Sequence, residues 1–148
     1  MGPIVSSVEI DRSPDEVFAY VTDPSRFAEW QANVVSGHLD GGDFQRVGSR
    51  CITARRTGRG ERTTISETTE FIPPRSWGVH GTDGRIREDR RVTIEPLSGS
   101  ARSRLTFELD FEGHGIGKLL VPLVVRRQAR RDALINGRTL KERLESDD

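Results

Sequence analysis

Extended runs separated by short turn signals fill residues 32–112, and this pattern constrains the fold more than any other feature of the chain. The segment has no convincing helical periodicity, and its breaks have the length of hairpin turns. Such a series predicts an antiparallel meander of six strands, to which the alternating residues 4–12 add a seventh. The six runs read NVVSGHL, VGSRCITARRT, RTTISETTEFI, SWGVHG, IREDRRVTIEPL and ARSRLTFELDF.

Helical patterns lie on both sides of this meander. Ser13-Pro14 followed by two acidic residues predicts a helix start, because the hydroxyl caps, the proline fits the first turn and the acids lie at the positive end of the helix dipole. A second short helix ends near Trp30, and residues 116–145 have a helical pattern again. The predicted fold class is therefore α+β, with one strongly curved sheet around one long C-terminal helix.

Composition excludes several classes of protein. Lys+Arg and Asp+Glu balance at 23 each, so no global field attracts nucleic acid or an anionic membrane. Cys51 is the only cysteine, which excludes an internal disulfide and a Cys-rich metal site. The N-terminus lacks a secretory pattern, and the longest apolar run, residues 119–125, is too short to cross a bilayer. We expect a cytoplasmic monomer or homodimer with no nucleic-acid partner and no integral membrane association.

Side-chain alternation predicts which residues of the last two strands face inward. In the last strand, apolar residues take every second position, which places Phe107 and Leu109 on the inner face. In the strand before it, the parity set by the apolar residues carries Glu88 and Arg90 to the same face.

The strand SWGVHG follows a double proline and contains a tryptophan and a histidine. In a regular strand Trp77 and Val79 share one face and His80 lies on the other, unless a bulge at Gly78 shifts the register. A regular strand therefore does not allow Trp77 and His80 to point into the same space.

The strand before the double proline adds polar residues to the predicted inner face. Parity places Glu67 and Thr69 inward, beside Glu88 and Arg90 from the neighbouring part of the sheet. Two interpretations stay open, because buried charges must be paired or solvated. Either these residues lie near the rim and pair with one another, or they are the convergent polar groups of a small-molecule pocket.

The C-terminal helix also carries a charge in its apolar stripe. At 3.6 residues per turn, Arg126 falls near one line with Leu119, Ala133 and Leu140. Either this arginine extends to solvent at the edge, or it reaches into the cavity to hold a ligand carboxylate or enolate.

The remaining chemistry-bearing residues predict no cofactor and no metal. The three histidines lie in different segments and none is at metal-ligand spacing with another. The stretch GHGIG at residues 113–117 lacks the lysine and the strand–helix context of a phosphate-binding loop. Cys51 is interpreted as a small core or cavity-wall residue, with a lowered thiol pKa beside Arg50 as the alternative.

Four segments spread along nearly the whole chain carry a family resemblance. They are VEIDRSPDEVFAYVTDPSRFAEW, the strand opening VGSR, the turn TTEFIPPRSW and the final helix LVPLVVRRQARRDALINGRTLKERLE. Together they resemble the START-like (SRPBCC) superfamily, most closely its polyketide cyclase/dehydrase-like branch. The resemblance implies a helix-grip fold in a single domain over residues 1–148, with a hydrophobic cavity between the sheet and the C-terminal helix.

The expected partner is a hydrophobic or aromatic small molecule, of lipid or polyketide type, held in that cavity. The predicted ligand-binding residues are Trp30, Glu67, Thr69, Trp77, Val79, Glu88, Arg90, Phe107, Leu109, Leu123 and Arg126.

Two alternatives to simple binding stay open. In a cyclase/dehydrase, Arg90 or Arg126 stabilises an enolate and Glu67, Glu88 or His80 is the base, although no residue is assigned a catalytic role. In a partner-binding module, the exposed Arg/Leu face of the last helix makes the contact.

Overall fold

The computed structural model describes residues 2–42, 44–58, 60–83, 86–113 and 124–146. Seven strands form one antiparallel sheet in the order β1-β7-β6-β5-β4-β3-β2. This confirms the predicted α+β helix-grip fold, with two short helices after the first strand and one helix at the C-terminal end. The strands are β1 Ile4–Ile10, β2 Val34–Leu39, β3 Arg50–Thr57, β4 Gly60–Ile72, β5 Ser76–Gly81, β6 Ile86–Leu97 and β7 Arg102–Gly113.

Within the described residues, three α-helices accompany the sheet: α1 Pro14–Val21, α2 Phe27–Trp30 and α3 Arg126–Ser146, with short 3-10 turns at Pro24–Arg26 and Ser98–Ser100. None of the helices in the described ranges is long and apolar enough to cross a membrane. The predicted start of α1 is confirmed, because Ser13 Oγ accepts from the backbone N–H of Glu16 at 3.3 Å.

An extra residue in β4 changes which of its side chains face inward. Thr68 pairs with Val79 and Glu70 pairs with Gly78, which leaves Thr69 without a partner in the ladder. Thr68 therefore faces the core and is only 1% exposed.

The structure of β4 shows that two sequence predictions are wrong. Glu67 and Thr69 are exposed on the convex face instead of facing inward. The bulge lies in β4, opposite Gly78, so the parity of β5 is undisturbed. A Cβ at Gly78 would lie 3.1 Å from Thr69 Oγ1, so a side chain there would be tight and would require the neighbouring residues to shift slightly.

The core fills one half of the concave face. Trp30 stacks against Phe107 with ring centroids 5.8 Å apart and meets Phe27 edge-on at 6.1 Å. Leu140 and Leu144 of α3 are buried in the same cluster, so the C-terminal half of the helix is packed closely on the sheet.

Gln45, in the connection between β2 and β3, joins three elements through one amide. Its Oε1 accepts from Trp77 Nε1 at 2.8 Å and from Thr68 Oγ1 at 2.7 Å. Its Nε2 donates to the backbone oxygen of Thr22, just after α1, at 2.6 Å. The amide thereby satisfies two buried donors that have no strand partner.

Replacing this amide tests the network. We expect Gln45→Met to lower the free energy of unfolding by about 2–4 kcal/mol, because it leaves two buried donors unpaired. Urea denaturation measures the change, with Glu142→Met at an exposed position of α3 as the matched control. Equal stability of the two variants would show that Gln45 is not structurally required.

The hydroxyl group of Tyr20 tests the packing between α1 and α2. Its hydroxyl donates to Glu29 Oε1 at 2.9 Å. Burial, followed by the hydrogen bond and the negative charge of Glu29, raises the pKa of Tyr20 to about 12. Because this value is above that of the unfolded chain, the linked stabilisation is present below about pH 10 and is lost as the pH rises towards 12.

The chain has a single tyrosine, so the absorbance of the phenolate in a rapid pH jump reports Tyr20 alone. We expect a midpoint near 12 in the folded protein and near 10 in guanidinium chloride. Glu29→Gln is expected to move the folded midpoint down. A folded midpoint equal to the denatured one contradicts the proposed burial.

Candidate functional site between the sheet and the C-terminal helix

A cavity lies where the concave face of the sheet meets the N-terminal half of α3. Its larger part has a volume of about 320 Å³ and is bounded by β3, β6, β7, the segment after α2 and the helix. A second part of about 180 Å³ extends over β4 and β5. Arg55, Glu88, Arg90 and Phe111 line both parts, so the two parts adjoin each other.

The alternation of β6 and β7 gives the cavity its mixed character. Glu88 and Arg90 face inward at one end of β6, as the sequence predicts, while Val92 is fully buried further along the strand. In β7, Leu109 and Phe111 add an apolar wall beside the two charges.

Glu88 and Arg90 form an ion pair inside the cavity. Arg90 donates from Nε and Nη2 to the same carboxylate oxygen, Oε1, at 3.1 and 3.0 Å. The two side chains are only 27% and 11% exposed. Burial opposes the ionisation of Glu88, but the Arg90 and Arg55 guanidinium charges hold its pKa below the usual range. Glu88 therefore stays ionised at neutral pH.

Arg55 brings a second guanidinium group into this space. Its Nε donates to Thr64 Oγ1 at 3.4 Å, and no carboxylate of the described chain lies within ion-pairing distance. Burial, together with the positive charge of Arg90, lowers the pKa of Arg55, and Glu88 acts in the opposite direction. Two guanidinium groups thus face one carboxylate in the cluster of Arg55, Glu88 and Arg90.

The rim of the cavity is closed by a polar network between the segment after α2 and α3. Asn33 Nδ2 donates to Asp132 Oδ2 at 3.3 Å, and Gln128 Nε2 donates to Asp132 Oδ1 at 3.1 Å. Asn136 Oδ1 accepts from the backbone N–H of Ala32 at 3.0 Å. These hydrogen bonds hold α3 against the segment after α2.

Gln31 differs from these rim residues. It lines the cavity and is only 3% exposed, yet neither its amide oxygen nor its amide nitrogen has a hydrogen-bond partner in the described structure. Trp30 Nε1 is also without a partner, but its ring is packed in the core and does not line the cavity. A buried amide with neither group hydrogen-bonded is destabilising.

The structure brings five of the predicted ligand-binding residues to this cavity, and whether they bind a ligand stays a prediction. They are Trp77, Val79, Glu88, Arg90 and Leu109.

Trp30 and Phe107 belong to the packed core beneath the helix instead of the described cavity wall. Glu67 and Thr69 lie on the convex face, as described above. Leu123 lies outside the described residues.

Arg126 is a further correction. It is only 6% exposed, but its Nη1 donates to Asp110 Oδ1 at 3.1 Å and its Nη2 donates to the backbone oxygen of Gly2. Neither of the two interpretations made from the sequence holds, because the guanidinium fixes the start of α3 to the edge of the sheet instead of reaching solvent or the cavity. This contact between α3, β7 and the residue before β1 is invisible to helix periodicity.

The two orientations left open by the sequence are also defined. His80 lies on the convex face, where its Nδ1 is hydrogen-bonded to Asp89. Cys51 faces the core, with its Sγ 3.6 Å from Thr53 Oγ1, and burial raises the pKa of its thiol. A raised pKa fits a packing role and not a reactive thiolate.

Sequence reasoning missed Arg55 and Gln31. Arg55 shares its face with Cys51 and Thr53, but β3 has no clear apolar face from which its parity could be read. Gln31 lies in the short connection after α2, for which neither helix nor strand periodicity applies. The described residues contain no group of three or more His, Cys, Asp or Glu that is arranged to hold a metal ion.

Several solved structures share this fold at low sequence identity. The di-domain ARO/CYC protein BexL from the BE-7585A biosynthetic pathway matches with a TM-score of 0.78 and 15% identity, over 98% of this chain and 47% of BexL. TTHA0849 from Thermus thermophilus matches at 0.77 and 16%, over 97% of both chains. A START superfamily protein from Mycobacterium smegmatis matches at 0.74 and 14%, over 99% of both.

This chain thus spans about half the length of BexL. No protein of curated function matches it. The model of one family matches residues 1–145, nearly the full length of the sequence, and that family is described as polyketide cyclase / dehydrase and lipid transport. The strand order, the helix placement and the cavity agree with this match, and the chain belongs to the polyketide cyclase / dehydrase and lipid transport family.

Proposed function

We propose that the protein binds a hydrophobic or aromatic small molecule in the cavity between the sheet and α3, for carriage, sequestration or sensing. The observation that carries this proposal is the open space beside a buried charged cluster. Leu109, Phe111 and Ala129 form an apolar wall, and Arg55, Glu88 and Arg90 provide polar groups at one side. A mostly apolar concavity with a few convergent polar groups is the usual form of a small-molecule site.

The electrostatics of the cavity favour binding over proton transfer. A general base needs a pKa near the working pH and a free lone pair directed at the substrate. Glu88 has a lowered pKa and accepts two bonds from Arg90, which makes it a weak base. The other two predicted bases, Glu67 and His80, lie on the convex face.

A cyclase/dehydrase reaction is the second candidate. The observation in its favour is the pair of guanidinium groups of Arg55 and Arg90 in the cavity, because such groups stabilise a developing enolate. The reaction would also need a base, and the carboxylates of the described lining, Asp83, Glu88 and Asp132, already accept hydrogen bonds from the protein, so this candidate stands behind binding.

Filling the cavity tests the proposal. Ala129 lines the space and faces the sheet, so Ala129→Trp is expected to occupy it and to weaken binding of the neutral dye Nile red by at least about ten-fold. Leu134→Trp is the matched control, because Leu134 is on the outer face of the same helix and is 65% exposed. Dye fluorescence measures the affinity, and circular dichroism verifies the fold.

Native mass spectrometry of the protein purified from its own host complements this test. A discrete aromatic or acyl-chain compound that co-purifies with the unmodified protein and not with Ala129→Trp would support the proposal and identify the ligand. A protein that carries nothing and binds the dye no better than Ala129→Trp would overturn it.

A further inference from the structure

We propose that the ligand of this cavity is an amphipathic acid, whose carboxylate pairs with Arg55 while Gln31 makes a hydrogen bond at the same end of the molecule. This inference rests on the proposed binding function and names the chemical class of the ligand. It depends on two polar groups that line the cavity and whose hydrogen-bonding capacity the described residues leave unused.

The first unused group is the guanidinium of Arg55. Its only hydrogen bond from the described chain is the long one from Nε to Thr64 Oγ1, so the terminal nitrogens keep their donors. Arg90 is also cationic but is engaged with Glu88 through two of its nitrogens. A ligand anion therefore finds its free cationic partner at Arg55.

The second unused group is the Gln31 amide. The other amides of the cavity, those of Asn33, Gln128 and Asn136, have partners across the rim. Gln31 is nine-tenths buried and has none among the described residues, although it lines the same space. An amide in this state is stabilised when another polar group in the cavity pairs with it, and the polar end of a ligand can do so.

Both groups line the larger part of the cavity, on the side of β3 and the segment after α2. Gln31 comes three residues before Val34, which opens β2 and pairs with Arg55 of β3. The opposite wall consists of Leu109, Phe111 and Ala129. A ligand that satisfies both sides has a polar end against β3 and an apolar body along β7 and α3.

A carboxylate is the anion that best fits these constraints. The guanidinium fork matches the two oxygens of a carboxylate, and the charge-assisted bonds are stronger in a partly buried site than in water. A carboxylate at Arg55 also relieves its repulsion from Arg90. A neutral alcohol of the same shape offers neither gain.

Matched acid and alcohol probes test this assignment by isothermal titration calorimetry. The probe pairs are octanoate with octanol, and naphthoate with naphthylmethanol. We expect the acid of at least one pair to bind about ten-fold or more tightly than its alcohol. Arg55→Gln should abolish this preference, whereas Arg56→Gln, at the exposed neighbouring position of the same strand, should keep it.

The outcomes distinguish a failure of the acid assignment from a failure of the proposed binding function. If acid and alcohol bind equally, or if Arg55→Gln keeps the preference, the acid assignment is wrong and the cavity remains a site for neutral hydrophobic compounds. If no probe and no Nile red binds, the binding function itself fails, and the inference fails with it. Arg55→Lys, which keeps the charge without the fork, is expected to retain part of the preference.

A substitution of Gln31 gives an independent test, because it is expected to raise the melting temperature instead of lowering it. Gln31→Met removes a buried unsatisfied amide, so we expect the melting temperature of the ligand-free protein to rise by about 3 °C or more. The same change should weaken binding of the preferred acid about three-fold or more. Thermal unfolding and calorimetry measure both effects.

A purely structural glutamine would behave in the opposite way. Gln45→Met, which breaks a satisfied network, should lower the melting temperature and serves as the comparison. A lower melting temperature for Gln31→Met, or unchanged acid binding, would remove Gln31 from the proposed site.

Discussion

The ion pair between Glu88 and Arg90 determines how the rest of the concave face is organised. Two charges on the inner face of a sheet lose hydration, and close packing of apolar side chains over them would leave that loss uncompensated. The C-terminal half of α3 therefore packs where the face is apolar, with Leu140 and Leu144 in the core. Its N-terminal half lies over the charged part, and the cavity is the space between them.

The ends of the helix are fixed to the sheet, which holds this space open. At the start, Arg126 is bound to Asp110 of β7. Near the end, Lys141 Nζ donates to the backbone oxygen of Glu9 at 2.7 Å, and Glu145 accepts from the backbone N–H of Asp11 at 2.8 Å. These polar contacts all lie at the β1–β7 side of the sheet, so the middle of the helix spans the cavity without having to fill it.

The fold could be predicted from the sequence because the signals that define it are local or strictly periodic. The alternation of β7 and the parity that carries Glu88 and Arg90 inward are read correctly, since both strands have one clear apolar face. The prediction failed in β4, where one inserted residue and a face rich in Thr and Ser leave no periodic signal for Glu67 and Thr69. Bulges depend on the partner strand, which a single sequence does not reveal.

The candidate site was only partly predictable for a related reason. Periodicity identifies residues on regular elements, but Arg55 and Gln31, on which the proposed ligand class rests, are in a strand without a clear apolar face and in a connection. Arg126 shows the converse failure, since its helical position suggests the cavity while a contact distant in sequence holds it elsewhere. Which arginine lacks an ion-pair partner depends on contacts between residues that are distant in sequence. Arg90 pairs with Glu88 and Arg126 with Asp110, whereas Arg55 has no ion pair within the described chain.

The state of Gln31 bears on why such a site persists at all. A chain selected for stability alone would fill this position with an apolar residue of similar volume, because an unsatisfied buried amide is destabilising. Local departures from good packing are expected where a function requires them. Arg55, which lines the same space, keeps a buried charge that Glu88 attracts but that no carboxylate of the described chain contacts in an ion pair. A molecule with an anionic, hydrogen-bonding end would remove both unfavourable features when it enters the cavity. This is the physical reason for treating the cavity as a candidate binding site.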